Sequence, residues 1–401
     1  MRDINIDLKN MSDIDIDLKK HKFIIFGSDH YNTLGAVRSL GEKGIYPDVI
    51  LHPKYSDHPN LIPNCKYVGK VYVVKDVDEG YSVLIRQYAT ERLRPFIFSC
   101  DDFVESTLDM HYNEIKDKFF FFHGKKEGIV SFYMNKRAIS ELGEECGLNI
   151  PKSEELRHGE IPKTLRYPII TKSIKSIEGK WKDDVYICNS EYELLEAYKA
   201  INSNVILAEE FIEKETEFCY DAFAINNGED IIMPFKATYI RSKPGSYGNY
   251  IKFTPTQEND IVENVKKMIR RVGFTGIFEA EFLIGKDGSI YFLEINFRNS
   301  TWSYPMTFGG VNMLYYWAKG ELCGKLDESM KPREKPFIGL VELVDFKDFV
   351  LTGKVSLFRW IYELFSADCL FYFNVRDMKP LIMHILDAIK NRIYIILKIK
   401  V

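Results

Sequence analysis

The stretch Phe278–Arg298 limits what this 401-residue chain can fold into more than any other. Two runs of alternating apolar and polar residues flank Asp287-Gly288, the favoured pair for a two-residue hairpin turn. A hairpin closed there sets Glu281 directly opposite Glu294, and Glu279 opposite Asn296. Strand side chains alternate between faces. One face therefore carries Glu279, Glu281, Glu294, Asn296 and Arg298, and the other Phe278, Ala280, Phe282, Ile284, Tyr291, Leu293, Ile295 and Phe297. The apolar set is core. The polar set holds neither lysine nor threonine, the usual occupants of a solvated strand face.

Directly opposed carboxylates repel. At about 5 Å and an effective dielectric near 20, the repulsion is on the order of 3 kcal/mol. A divalent cation between them reverses the sign. The oxygen donors Glu281, Glu294 and Asn296 suit Mg²⁺ or Mn²⁺ completed by phosphate oxygens and water. A plain solvated face is the competing reading.

The rest of the chain frames this hairpin with αβ units. Lys22–Gly27 reads as a buried strand, Leu34–Lys43 as a helix stopped by Gly44, and Tyr46–Leu51, Val71–Val74 and Pro95–Phe98 as further strands. That alternation predicts a parallel sheet over about residues 22–120. A second region holds a helix over Tyr133–Cys146 and strands at Tyr167–Ile170 and Val185–Cys188. Ser190 and Glu193 form a capping box for a helix running to about Ile201. Strands at Val205–Leu207 and Phe218–Ile225 and a helix over Asp260–Val272 precede the hairpin. The expected organisation is an N-terminal arm (1–21) with a near-duplicated segment, an αβ domain (22–120), a larger domain (121–330) with a subdomain at about 152–212, and a C-terminal extension (331–401).

A net charge of −4 gives no global signal for nucleic acid. The seven cysteines form no C-x-x-C pair, which argues against zinc or a disulfide framework. With no secretory signal and no run long enough to span a bilayer, the expected location is cytoplasmic. The last segment, Arg376–Val401, carries six Lys/Arg, two Asp and apolar residues at helical spacing, so it reads as a basic amphipathic helix. Docking on the protein body is the preferred reading. The alternative is peripheral contact with the inner face of an anionic membrane.

The hairpin resembles the closing signature of the ATP-grasp superfamily, a Glu on one strand and Glu-x-Asn-x-Arg on the next. Here these are Glu281 and Glu294-Ile295-Asn296-Phe297-Arg298. Further matches occur in family order. Asn135-Lys136 opening a helix that ends in Gly147-Leu148-Asn149-Ile150-Pro151 is similar to "D-K … G-I-P-x-P", with Asn135 where Asp is common. Tyr167–Lys172 resembles "Y-P-x-x-x-K-P", with Ser173 in place of the proline and a glycine-poor phosphate-covering loop over Ser173–Lys180. Ile206–Ile212 resembles the hinge strand, and Glu217 the ribose-binding acid. The Phe26–Gly41 segment looks like the start of the Rossmann-like pre-ATP-grasp domain. The combination is similar to D-aspartate ligase and related carboxylate–amine ligases.

The resemblance implies an α/β (α+β) ATP-grasp fold, ATP as cosubstrate, and Mg²⁺ on Glu281, Glu294 and Asn296. It implies phosphate contacts from Lys136, Lys172 and Arg298, base contacts from Glu209 and the backbone of Glu210, Phe211 and Ile212, and ribose contacts from Glu217. The expected reaction activates a small carboxylic acid or amino acid as an acyl phosphate and passes it to an amine, such as one on a cell-wall or surface-glycan precursor. Lysines of this kind are more often solvated surface residues, and Arg298 could be a salt-bridge partner. For the substrate carboxylate, Arg241, the loop Ser242–Asn249, His30 and Asn32 are candidates. The alternatives are a biotin-carboxylase-like or purine-synthesis-like ATP-grasp enzyme and a non-catalytic nucleotide-binding module. Dimers are common among the apparent relatives, so the resemblance leaves a homodimer open.

Overall fold

The computed structural model describes residues 11–53, 60–174, 184–243 and 248–396. The first copy of the N-terminal duplication, most of the Ser173–Lys180 loop and the centre of the Ser242–Asn249 loop lie outside them.

The N-terminal strands β1 (Phe23–Ser28), β2 (Asp48–His52), β3 (Val71–Val73) and β4 (Phe96–Ser99) form a parallel sheet in the order β3-β2-β1-β4. β1, β2 and β4 are buried at every position, as continuous apolar runs in a two-sided parallel sheet require. A second sheet, in the order β5-β8-β6-β7, comprises β5 (Ser153–Arg157), β6 (Ile169–Ser173), β7 (Ile187–Cys188) and β8 (Val205–Glu210). The third sheet contains β9 (Lys214–Ile225), β10 (Asp230–Ser242), β11 (Gly248–Pro255), β12 (Gly276–Gly285), β13 (Ile290–Asn296), β14 (Phe337–Leu340) and β15 (Cys369–Leu370). Its order is β13-β12-β9-β10-β11-β14-β15, so residues beyond 331 add two strands to the sheet that holds the hairpin.

The helix Asp260–Val272 has the bounds its pattern predicts. Asn259 caps its start, Gly273 ends it at φ 69°, and Val262, Val265, Met268, Ile269 and Val272 form its buried stripe. The expected helix over Tyr133–Cys146 is instead two, Ile129–Tyr133 and Lys136–Glu145. The break falls at Asn135, whose side chain caps the amides of Arg137 and Ala138. Asn and Asp cap equally well, so Asn135 preserves the helix start. The helix after Ser190 ends at Ala197, not Ile201.

The hairpin differs from expectation near its tip. Its turn is a three-residue loop, Lys286–Gly288, closed by the Gly285 amide on the Ser289 carbonyl at 2.8 Å with Gly288 at φ +82°. Alone, that would slip every pair by one residue. A bulge at Leu293 takes up the slip. Glu281 therefore pairs with Glu294 and Glu279 with Asn296, but Phe282 pairs with Phe292. Tyr291 and Leu293, expected in the core, are only half buried. Phe292 fills the core beside Phe282.

The N-terminal helix Met11–Leu18 packs on the helix Met313–Cys323 through buried Leu18 and the Asp15 carboxylate, which meets Lys319 and Tyr315 at 2.6 Å. At the other end, the helix Lys379–Ile396 meets the body through Leu381 and a Tyr372–His384 ring contact. Its Ile382, Ile385, Leu386 and Ile389 remain exposed. The helix thus touches the body along one edge, and those four exposed side chains are not part of that contact; the stripe's Ile393 and Ile396 lie outside the described side chains.

Candidate active site

Three parts of the fold meet at the polar face of β12 and β13. Asn149 fixes the first by lying alongside β13: its carbonyl accepts from the Phe292 amide at 2.9 Å, and its side chain donates to the Ile290 carbonyl at 3.2 Å. This sets the preceding helix so that Lys136, its first residue, places Nζ 2.6 Å from Glu294 Oε2. The second part is the end of the N-terminal sheet. The Asn299 amide donates to the Ser99 carbonyl, and Arg298 Nε reaches Asp102 at 3.2 Å and Nη1 reaches Glu279 at 3.4 Å. The hairpin supplies the third part: Asn296 Nδ2 donates to Glu281 at 2.8 Å and to Glu279 at 3.3 Å.

The opposed carboxylates are unequal. Burial raises the Glu294 pKa, but Lys136, with help from Lys172 and Arg298, outweighs burial and holds it below the ordinary value. Glu281 is driven well above its ordinary value by burial and by repulsion from Glu279 and Glu294. Lys136 is held above its ordinary value because Glu294 outweighs burial. The face has more buried negative charge than cations to match it, which is the condition a divalent ion relieves. Among the described residues no three acidic, histidine or cysteine side chains close around one point. A cation would therefore also draw on the Asn296 oxygen, after rotation of the amide that now turns its nitrogen to the carboxylates, and on ligand oxygens. The donor set fits Mg²⁺ on those terms.

The β6/β8 sheet and the start of β9 supply the remaining candidates. Lys172 pairs with Glu209, and Lys214 meets Glu217 at 2.8 Å. These belong to the same electrostatic neighbourhood, since Lys172 acts on Glu294, Glu209 on Lys136, and Glu217 on Glu281. The hinge backbone is partly committed. The Glu210 amide donates to the Lys152 carbonyl at 2.9 Å and the Phe211 amide to the Pro168 carbonyl at 3.1 Å, so neither points at a base. Glu210 Oε1 accepts from the Lys152 amide.

Arg241 is not gathered with the others. Its guanidinium spans Asp345, at 2.9 and 2.7 Å, and Glu363, at 2.8 Å. Asn32 lies in a buried network with Asn299 and the Cys100 carbonyl beside the site, and His30 starts the adjoining helix. Sequence reading gave no role to Asp102, Asp221 or Ser300. Ser300 Oγ donates to buried Asp221, which faces Glu279 across the β9/β12 ladder. Alternation could have marked Asp221, two residues beyond Cys219 opposite Glu281. Nothing local marks Asp102, 196 residues before Arg298.

No family model matches the chain. It is 22% identical to D-aspartate ligase from Enterococcus faecium, over 72% of this chain and 74% of that protein. The crystal structure of L-amino acid ligase from Bacillus licheniformis superposes with a TM-score of 0.60 at 16% identity, covering 79% of both chains. N5-carboxyaminoimidazole synthetase from Staphylococcus aureus complexed with ADP superposes with a TM-score of 0.61 at 17% identity, covering 83% of this chain and 85% of that one.

Proposed function

We propose that this chain, which has the ATP-grasp fold and resembles the carboxylate–amine ligases that share it, joins a small amino acid to an amine at the expense of ATP. One observation carries this reading: Glu281, Glu294 and Asn296 share a face with Lys136 at one side and Arg298 at the other. A carboxylate does not react with an amine unaided, because oxide is a poor leaving group. Transfer of a phosphoryl group to the acid makes an acyl phosphate, and amine attack then releases phosphate. Such transfer depends on positioning and charge neutralisation more than on covalent chemistry by the protein.

The chain's residues divide that work. Glu281, Glu294 and Asn296 would hold Mg²⁺, which would supply positive charge to offset that of the phosphates. Lys136 and Lys172 offer cations from two sides, each now resting on a carboxylate it can leave for phosphate. Arg298 is held by Asp102 and Glu279, so its position is set before substrate arrives. Glu209, Ile212 and Glu217 form the nucleoside end. D-Aspartate is the first acid to try, since the E. faecium relative is named for it.

The test is ADP release with Mg²⁺ across amino acids of both configurations, bicarbonate, and candidate amines. Release that needs both an amino acid and an amine supports the ligase. Release driven by bicarbonate supports the carboxylase-like alternative. No release with any acid, despite nucleotide binding, leaves a binding module and sinks the proposal.

A further inference from the structure

The helix Leu357–Ser366 turns its most apolar side away from the body. Its inward positions are Trp360, whose indole donates to Asp345 at 3.0 Å, and Glu363, which pairs with Arg241 at 2.8 Å. Trp360 packs with Phe349 and Val355 in a small core apart from the main one. These contacts fix the rotation of the helix, so Phe358, Ile361, Tyr362 and Phe365 form one outward stripe. Phe358 is 88% exposed, Phe365 85% and Tyr362 73%. Contiguous exposed aromatics of this kind mark a contact surface.

Size, charge and symmetry each narrow what covers this aromatic helix. A full aromatic side chain presents about 150–250 Å², so the three rings leave roughly 500 Å² bare. That is more than half of the about 800 Å² that each partner buries in a stable association. The stripe itself holds no charged side chain. The helix has one arginine and one glutamate, and Arg359 is held on buried Glu363 at 2.9 Å. A helix that lies on an anionic bilayer carries lysines and arginines along its flanks, and this one does not. Two copies of an uncharged stripe, by contrast, do not repel. The spacing of the stripe is also its own reverse. Turning the helix end for end puts Phe358 in the place of Phe365 and Ile361 in the place of Tyr362, which is the self-complementarity that a two-fold contact requires.

We propose that the stripe is a two-fold contact with a second copy of this chain, in which the two helices run antiparallel and each Phe358 packs against the partner's Phe365. The positions 358, 361 and 365 repeat at the three- and four-residue steps by which paired helices interlock, with Tyr362 beside the seam. The contact would cover an equal apolar area on each copy and leave no charge buried without a partner, because Glu363 is already satisfied by Arg241 and Arg359 on the inner side. This inference does not rest on the ligase reading.

Analytical ultracentrifugation of the full chain at micromolar concentration should show a dimer. Phe358→Ser with Phe365→Ser should raise its dissociation constant about 100-fold or more, with an unchanged circular dichroism spectrum because both rings already face outward. Phe358→Leu with Phe365→Leu, which keeps apolar bulk, should stay largely dimeric. Chains carrying Phe358→Cys mixed with chains carrying Phe365→Cys should form an intermolecular disulfide faster than either variant alone, since the antiparallel arrangement brings those two positions together. A parent chain that is monomeric, a dimer that the double serine variant leaves intact, or cross-linking no faster in the mixture than in either variant alone overturns the proposal. So does a monomeric parent chain that sediments with phosphatidylglycerol vesicles and loses that binding in the double serine variant, because the stripe would then belong to a lipid surface.

Discussion

Glu281 and Glu294 face each other across two strands, yet their protonation equilibria are pushed in opposite directions. Lys136 compensates Glu294, while Glu281 has an amide for a partner and two carboxylates for neighbours. A residue arranged like this serves a ligand better than it serves the fold. Glu281→Gln should therefore melt no lower than the parent, because it relieves repulsion. It should also lower Mg²⁺-dependent ADP release by about 100-fold or more. A melting temperature that drops with activity intact would show Glu281 to be structural. Glu342 is a structural carboxylate by contrast. Burial, outweighing the backbone amide bonds it accepts, pushes its pKa up from 4.5 to about 7. The raised folded value means that its stabilising contribution is full below about pH 4.5 and is lost as pH rises through about 7. Denaturant unfolding at a series of pH values should show that decline, and Glu342→Gln should flatten it.

At the scale of elements, the hairpin shows how two local deviations can cancel. The three-residue loop and the bulge at Leu293 each shift the register by one, in opposite senses. Pairing at the functional end is therefore what a two-residue turn would produce, although the tip is not. Gly288 makes the loop workable: its φ of +82° lies in the left-handed region, and a Cβ there would meet nothing within 4 Å. Gly288→Ala should thus cost about 1 kcal/mol through backbone strain alone, and Gly288→Asn less. Chemical denaturation measures both. A loss from Gly288→Ala much beyond that would mean that the loop contacts something else. Asn135 is a second element-scale device, since its cap starts the helix at the residue that must reach Glu294.

At the scale of the molecule, the segment beyond 331 is woven into the body. β14 and β15 extend the hairpin's sheet, Arg38 is buried against Asp377 and the Phe371 and Tyr372 carbonyls, and Arg241 ties β10 to Asp345 and Glu363. Arg241→Ala would strand two buried carboxylates. It should destabilise the chain by roughly 3 kcal/mol and loosen the aromatic helix, with little change in the acid's KM. An unchanged melting temperature with a raised KM would return Arg241 to the substrate pocket.

Much of this protein was legible in residue order. Alternation and a Gly-containing turn put four carboxylate and amide groups on one face, the residues of the helix 260–272 were readable as a helix, and apolar runs marked the buried parallel strands. Each of these is set by neighbours a few residues away. What lay beyond sequence depends on partners far along the chain. Asp102 meets Arg298 only because the N-terminal sheet abuts the hairpin. Phe292 displaces Leu293 from the core because a bulge intervenes. The aromatic helix faces solvent because Arg241, on another strand, holds its glutamate inward. Periodicity says which side chains share a face, but which way that face turns is decided by the buried charges it must satisfy.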